Sequence, residues 1–245
     1  HGPDFAPGSG ERDTWNDIVL RGRLRNAVRN LNPDVPEEYL DQAIGEVITP
    51  KSQSAIAENR RIHQILVEGY RGIEYIDHEG NFQNPTINFL SSHPHKNDYL
   101  SLNQVTIANL DGERRFDVVC YVNGMPLAFI ELKKTGANTS VEGAYNQLQT
   151  YVKEFGMAFR FANIVIPSDD LSAKYGTPFT PWNHFAPWNV DEDGSPVDPN
   201  NMVVAGEPVT QLDLLLDGLF NVERFGQLYS DFTAFDDTAE GLIMR

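Results

Sequence analysis

The sequence predicts an α/β domain in which a mixed β-sheet is flanked by helices, including several N-terminal ones. Three observations predict it. Amphipathic segments at helical spacing occupy residues 15–68, apolar runs of strand length follow to residue 132, and a further helix then separates them from another short apolar run. Adjacent strands, a crossover helix and a returning strand build a sheet with both antiparallel and parallel pairs. With 245 residues, 40% of them hydrophobic, the chain can bury one sizeable core.

Taken in order, residues 1–13 (HGPDFAPGSGERD) are polar and rich in Gly and Pro, and read as a flexible lead-in. From Trp15 to Asn30 the apolar residues Trp15, Ile18, Leu24, Ala27 and Val28 recur at helical spacing until LNPDVP breaks the pattern. Pro36, Glu37 and Glu38 open a second helix that runs to about Val47, because proline and acids suit a first turn. A third covers Ser54 to Glu68 and stops at Gly69. Gly72–Ile76, Phe89–Leu90 and Val105–Ala108 are short extended candidates, and Phe116–Val122 and Leu127–Leu132 are the strongest strands. Residues 141–155 return to a helix with Tyr145, Leu148, Val152 and Phe155 on one stripe, and Phe161–Ile166 is a buried strand. Residues 167–210 form a polar surface excursion dotted with aromatics, and two helices end the chain within 211–245. The reading is therefore one domain over 14–210 with C-terminal helices after it.

The net charge of −16 argues against a protein that simply coats nucleic acid, since phosphate neutralisation needs clustered Lys and Arg. The charge is uneven, however. Residues 161–245 hold 3 basic and 14 acidic side chains, which leaves 16 and 21 in residues 1–160. A DNA partner would approach the first two thirds, where Arg23, Arg25, Arg61, Arg114, Lys133 and Lys134 lie. The single Cys120 reads as a buried thiol in a reducing compartment. No membrane span or secretory signal is evident, so the expected location is cytoplasmic.

Within RRFDVVCYVNGMPLAFIELKK, residues 114–134, the otherwise apolar stretch 116–133 carries three charges: Asp117, Glu131 and Lys133. Asn123-Gly124 is a strong turn signal, so the two strands pair antiparallel. A three-residue loop sets Asp117 opposite Glu131 on one face, whereas a two-residue loop separates them unless a bulge restores the register. The expectation is the first register or such a bulge. Two adjacent carboxylates at buried strand ends repel, a cost tolerated when a divalent cation lies between them. Magnesium, or manganese in its place, suits such oxygen ligands, and a neighbouring lysine can position or deprotonate an attacking water, or neutralise a developing phosphorane-like charge. The same charges also read as an ordinary ion pair at a solvated strand end. Gln147 and Tyr151, four apart, share one face of the following helix.

Together with LNPDVP, ENRRIHQILVEGY, NDYLSLNQVTI and AYNQLQTYVKEF, this hairpin resembles the nuclease domain at the N-terminus of the restriction-and-translocation subunit of type I restriction enzymes. The likeness runs from about Trp15 to Phe232, and its most specific parts are D-x13-E-x-K and Q-x3-Y. The resemblance implies a PD-(D/E)xK nuclease core that cleaves double-stranded DNA with Mg²⁺. It implies Asp117 and Glu131 as metal ligands with the Leu132 carbonyl, Lys133 as the catalytic lysine, and Gln147 and Tyr151 in support of cleavage. Partner modification and specificity subunits are implied through the full-length subunit. Phe116 stands where relatives often carry Pro. No G-x4-G-K-[ST] loop occurs, so ATP binding belongs to a motor outside this sequence.

Smaller features are weighed beside these. Glu58 can add a carboxylate to the site from its helix, but a solvated helix charge is the blander reading. His93-Pro94-His95 lacks a third ligand and reads as a loop, and Trp182 and Trp188 read as packing ahead of base stacking. Two competing classes remain: a weakly catalytic docking module whose acidic last third binds a partner, and another PD-(D/E)xK enzyme such as a repair nuclease.

Overall fold

The computed structural model describes residues 6–8, 10–110, 112–134, 140–169, 171–198, 202–204, 206–238 and 241–244. Three helices come first: α1 (Arg21–Leu31), α2 (Glu37–Ile48) and α3 (Ala55–Glu68). A short hairpin, β1 (Tyr75–Ile76) and β2 (Phe82–Gln83), leads to the long strands β3 (Tyr99–Asn109), β4 (Gly112–Val122) and β5 (Met125–Leu132). Helix α4 (Val141–Glu154) then crosses to β6 (Ile164–Ser168). The remainder comprises β7 (Val203–Val204), β8 (Glu207–Pro208), α5 (Gln211–Leu219), α6 (Val222–Asp231), β9 (Phe235–Thr238) and β10 (Gly241–Met244).

The central sheet has the order β3-β4-β5-β6, antiparallel except for the parallel β5-β6 pair. A parallel pair needs a crossover, and α4 supplies it. Neighbouring residues of β5 feed opposite cores, as strand alternation requires. Ile130 belongs to the buried cluster that also holds Leu24, Leu40, Ile62 and Leu219, so α1, α2, α3 and α5 build the core on one face. Phe129 packs with Phe116, Leu148, Tyr151 and Phe159 on the α4 face. The sheet is thus a filling between two helical layers, which is the mixed α/β architecture expected.

Several boundaries depart from the expected ones. Helix α1 begins at Arg21, because the residues before it are held by other bonds. The Asp17 carboxylate accepts the N–H groups of Asp13 and Thr14, while Leu20 donates to the Gly124 carbonyl at 2.8 Å and Trp15 accepts from Ala108. Local carboxylate bonds and long-range backbone bonds outcompete helix there. Part of the lead-in is tied down too: Arg12 is buried and donates to the Thr106 carbonyl at 2.6 Å, and Glu11 pairs with Arg23. Phe89–Leu90 forms no strand, its place being taken by a bridge between Tyr70 and Ile87. Phe161 ends a 3-10 turn (Gly156–Phe161), so β6 starts only at Ile164.

Helices α5 and α6 pack on the main core through Leu215, Leu219, Phe225 and Tyr229, and the β9-β10 hairpin that follows them was not expected. In the excursion, Trp182 packs against Tyr145 and Phe185, and Trp188 against Tyr175, as the packing reading requires. Among the described residues no helix is long and apolar enough to cross a membrane.

The β4-β5 turn is anchored to α1. Asn123 and Gly124 have φ of 51° and 78°, the positive pair of a type I′ turn. A Cβ on Gly124 would lie 2.4 Å from the Leu20 carbonyl oxygen and 2.8 Å from the Leu24 nitrogen, both backbone atoms. Gly124→Ala is expected to destabilise the domain by about 1–3 kcal/mol. A urea unfolding midpoint equal to that of the unmodified chain would contradict this.

Candidate active site

The hairpin brings its three charges together by the second of the two expected routes. Val122 pairs with Met125 and Tyr121 with Pro126, so the loop has two residues rather than three. The register then shifts: Cys120 pairs with Ala128 and Val118 with Ile130, leaving Leu127 as the extra residue of a β-bulge. Pro126 has no N–H to give the ladder, and the bulge follows directly after it. One step further along the shifted register, Asp117 stands opposite Glu131.

Glu131 and Lys133 form a hydrogen-bonded chain with α4, and Asp117 is fixed beside them. Asp117 Oδ2 accepts the Leu132 N–H at 2.9 Å, and its Oδ1 accepts the Gln104 amide at 3.1 Å. Lys133 Nζ lies 3.3 Å from Glu131 Oε1 and also donates to Gln147 Oε1, while the Gln147 amide donates to the Tyr151 hydroxyl. The amide of Gln147 is oriented by this chain, with its oxygen toward the ammonium. Tyr151 keeps its own O–H available as a donor. Helix α4 can present both residues because Ser140 caps its first turn by accepting from Gly143, and Leu148 and Tyr151 are buried together against the sheet.

Burial pushes the Glu131 carboxyl up to about 7, the Asp117 charge adds to the rise, and Lys133 works against it. Its side chain is 3% exposed against 27% for Lys133, so the lysine is the group that meets solvent. Burial likewise raises Tyr151 above the ordinary phenol range, with Glu131 and Asp117 adding and the Gln147 bond opposing. The phenol therefore stays protonated at neutral pH.

As a donor set the site offers two carboxylates and backbone oxygen. In an extended strand the N–H and C=O of one residue leave by the same edge, and the Leu132 N–H already faces Asp117. These are hard oxygen donors of the kind magnesium takes, and a raised carboxyl beside a second carboxylate is the electrostatic situation a cation relieves. Among the described residues no group of three or more His, Cys, Asp and Glu side chains is gathered for a metal. The set is therefore two side chains plus carbonyl or solvent.

Glu58 does not join it. Its carboxylate is 1% exposed and held by Arg61 at 2.7 Å and by the Lys51 N–H at 2.9 Å, so its charge is spent within the α2-α3 corner. Cys120 lies on β4, where burial pushes its thiol up to about 11, an unreactive state. Several cations expected to face DNA are paired with acids: Arg23 with Asp98, Arg25 with Asp41, Arg61 with Glu58 and Arg114 with Glu154. Sequence reasoning missed Gln104 altogether; the one trace it left is a break in apolar alternation between Leu102 and Val105.

Fold and site together define an α/β domain that carries an acidic pair and a lysine at strand ends, under a helix-borne amide and phenol. The chain belongs to the family described as "Type I restriction enzyme R protein N terminus", whose family model matches residues 3–184. It is 27% identical over 96% of its length to a Methanocaldococcus jannaschii protein named for the MjaIXP type I restriction enzyme endonuclease subunit, covering 24% of that protein. It is also 27% identical, over 100% of its length, to the type I restriction enzyme HindI endonuclease subunit of Haemophilus influenzae, covering 23% of it. A third relative, the type I restriction enzyme EcoprrI endonuclease subunit of Escherichia coli, is 25% identical over 65% of this chain. The chain thus spans about a quarter of the length of the first two relatives.

Proposed function

We propose that this domain hydrolyses phosphodiester bonds of double-stranded DNA as the PD-(D/E)xK nuclease part of a type I restriction enzyme, working with modification and specificity subunits. The observation that carries the reading is the hydrogen-bonded chain from Glu131 through Lys133 and Gln147 to Tyr151, with the Asp117 carboxylate fixed beside it on the Leu132 N–H, assembled from two strands and a helix. Support comes also from the relatives' names as endonuclease subunits.

In this reading Asp117, Glu131 and the Leu132 carbonyl hold Mg²⁺, with Mn²⁺ able to replace it. When bound, the cation neutralises the acidic pair and polarises the scissile phosphate. Lys133, half-buried and the one cation of the set, orients the attacking water or offsets charge on the phosphoryl oxygens. Gln147 fixes the ammonium by accepting from it, and Tyr151 fixes Gln147 while its hydroxyl is left to donate to a phosphate oxygen. ATP-driven movement along DNA is assigned to the part of the relatives that this chain does not span.

Calorimetric titration of MgCl₂ or MnCl₂ into the chain tests the site. Binding is expected in the unmodified protein and is lost in both Asp117→Ala and Glu131→Ala. Absence of heat in the unmodified chain, with a short DNA duplex present, would move a docking role ahead of the nuclease reading.

A further inference from the structure

Gln104 stands out in the backbone. Among the described residues, Gln104 and Asn123 are the non-glycine residues with positive φ. Asn123 is explained by its type I′ turn, and Asn tolerates that conformation. Gln104, with φ 56°, lies inside β3 and takes part in no turn. A left-handed residue in mid-strand persists only where its surroundings demand it, and such strain gathers at functional sites.

The surroundings are the acidic pair. Asn103 pairs with Val118 and Val105 with Phe116, so the place opposite Gln104 is Asp117. Both strands break their alternation here: Leu102 and Val105 share the α4-side core, and so do Phe116 and Val119, each pair three residues apart where alternation requires an even spacing. On the side of the break in phase with Leu102 and Val119, Gln104 and Asp117 both face α4. The amide reaches Asp117 Oδ1 at 3.1 Å while the Leu132 N–H holds Oδ2. The carboxylate is therefore gripped at both oxygens, one grip coming from β5 and the other from the strained residue.

Resting on the nuclease reading of the same site, we propose that Gln104 is a positioning residue that fixes the Asp117 carboxylate toward Glu131 for sharing a divalent cation. It acts through Asp117 and touches neither metal nor substrate. Groups that orient a ligating carboxylate typically change metal affinity by about 10- to 100-fold.

Two variants separate the amide from the backbone shape. Gln104→Gly accepts the left-handed φ without strain and lacks the amide; Gln104→Asn tolerates the φ but carries an amide one methylene short. Each is titrated with MnCl₂ by calorimetry beside the unmodified chain and Asp117→Ala, and each is unfolded in urea. The expected result for Gln104→Gly is an unfolding midpoint equal to or above the original, with Mn²⁺ bound about 10-fold or more weakly; Gln104→Asn weakens Mn²⁺ likewise. Unchanged Mn²⁺ affinity in Gln104→Gly and Gln104→Asn, while Asp117→Ala binds none, overturns the positioning role and leaves the nuclease reading standing. If Gln104→Gly and Gln104→Asn lose stability and affinity in parallel, Gln104 is merely structural and the inference also fails. If Asp117→Ala binds Mn²⁺ like the unmodified chain, the underlying reading itself is wrong.

Discussion

Lys133→Ala, introduced into the full-length subunit and assembled with its partner subunits, is expected to slow DNA cleavage by about 10²- to 10⁴-fold while ATP-driven translocation continues. The argument is one of geometry. Lys133 is the half-buried cation of the group, held between Glu131 and the Gln147 carbonyl, and so is the one positive side chain of the five that can meet a phosphate. Plasmid cleavage and a translocation assay on the same preparation check it. Loss of both activities would contradict a role confined to cleavage. Lys133→Arg divides the two possible roles, because a guanidinium keeps the charge but does not release a proton. Activity near the original assigns charge neutralisation, and a loss equal to that of Lys133→Ala assigns proton transfer.

Glu131→Gln is expected to stabilise the metal-free protein at pH 8 by about 2 kcal/mol, at the level of roughly 1.4 kcal/mol per pKa unit less what Lys133 loses as a partner. The native carboxyl titrates at about 7 against an ordinary 4.5, because burial and Asp117 both disfavour its charge. Between those values the native state binds more protons than the unfolded one, so stability falls as pH rises and the full cost is present above 7. The amide removes that cost. At pH 4.5, where the carboxyl is protonated in the native state, the substitution changes little. Urea unfolding at the two pH values measures the difference, and an equal effect at both would dismiss the burial argument. Under the proposed metal site, added Mg²⁺ is expected to reverse the ranking at pH 8, since a bound cation would stabilise the charged carboxylate and have less to bind in Glu131→Gln. Proton and cation compete for the same oxygens, so affinity for Mg²⁺ rises through pH 7.

Which candidate residues share a face was legible because it follows from spacing. A helix repeats every 3.6 residues, which puts Gln147 and Tyr151 on one face, and a strand repeats every two, which does the same for Glu131 and Lys133. The Asn-Gly turn was legible for a similarly local reason, its demand for two positive φ values. Over residues 15–20 the sequence pattern is helical enough, but the deciding bonds run to Gly124 and Ala108, far along the chain. Glu58 looked available on its helix, and only the fold revealed that Arg61 and the Lys51 N–H occupy it.

By itself, then, the sequence determined which residues carry charge, where the turn falls, that a crossover helix follows the hairpin, and that the chain builds a mixed α/β domain. Whether Asp117 meets Glu131 was left undecided, because the parity of a strand pair depends on one inserted residue. Tertiary structure made that choice at Leu127, after a proline that cannot donate to the ladder. It also chose the left-handed Gln104 across from Asp117, a conformation that no local preference of glutamine favours and that coincides with the break in alternation by which Leu102, Val105, Phe116 and Val119 all reach the α4-side core. Local physics specifies periodicity; register and strain are settled by what the far side of the sheet requires.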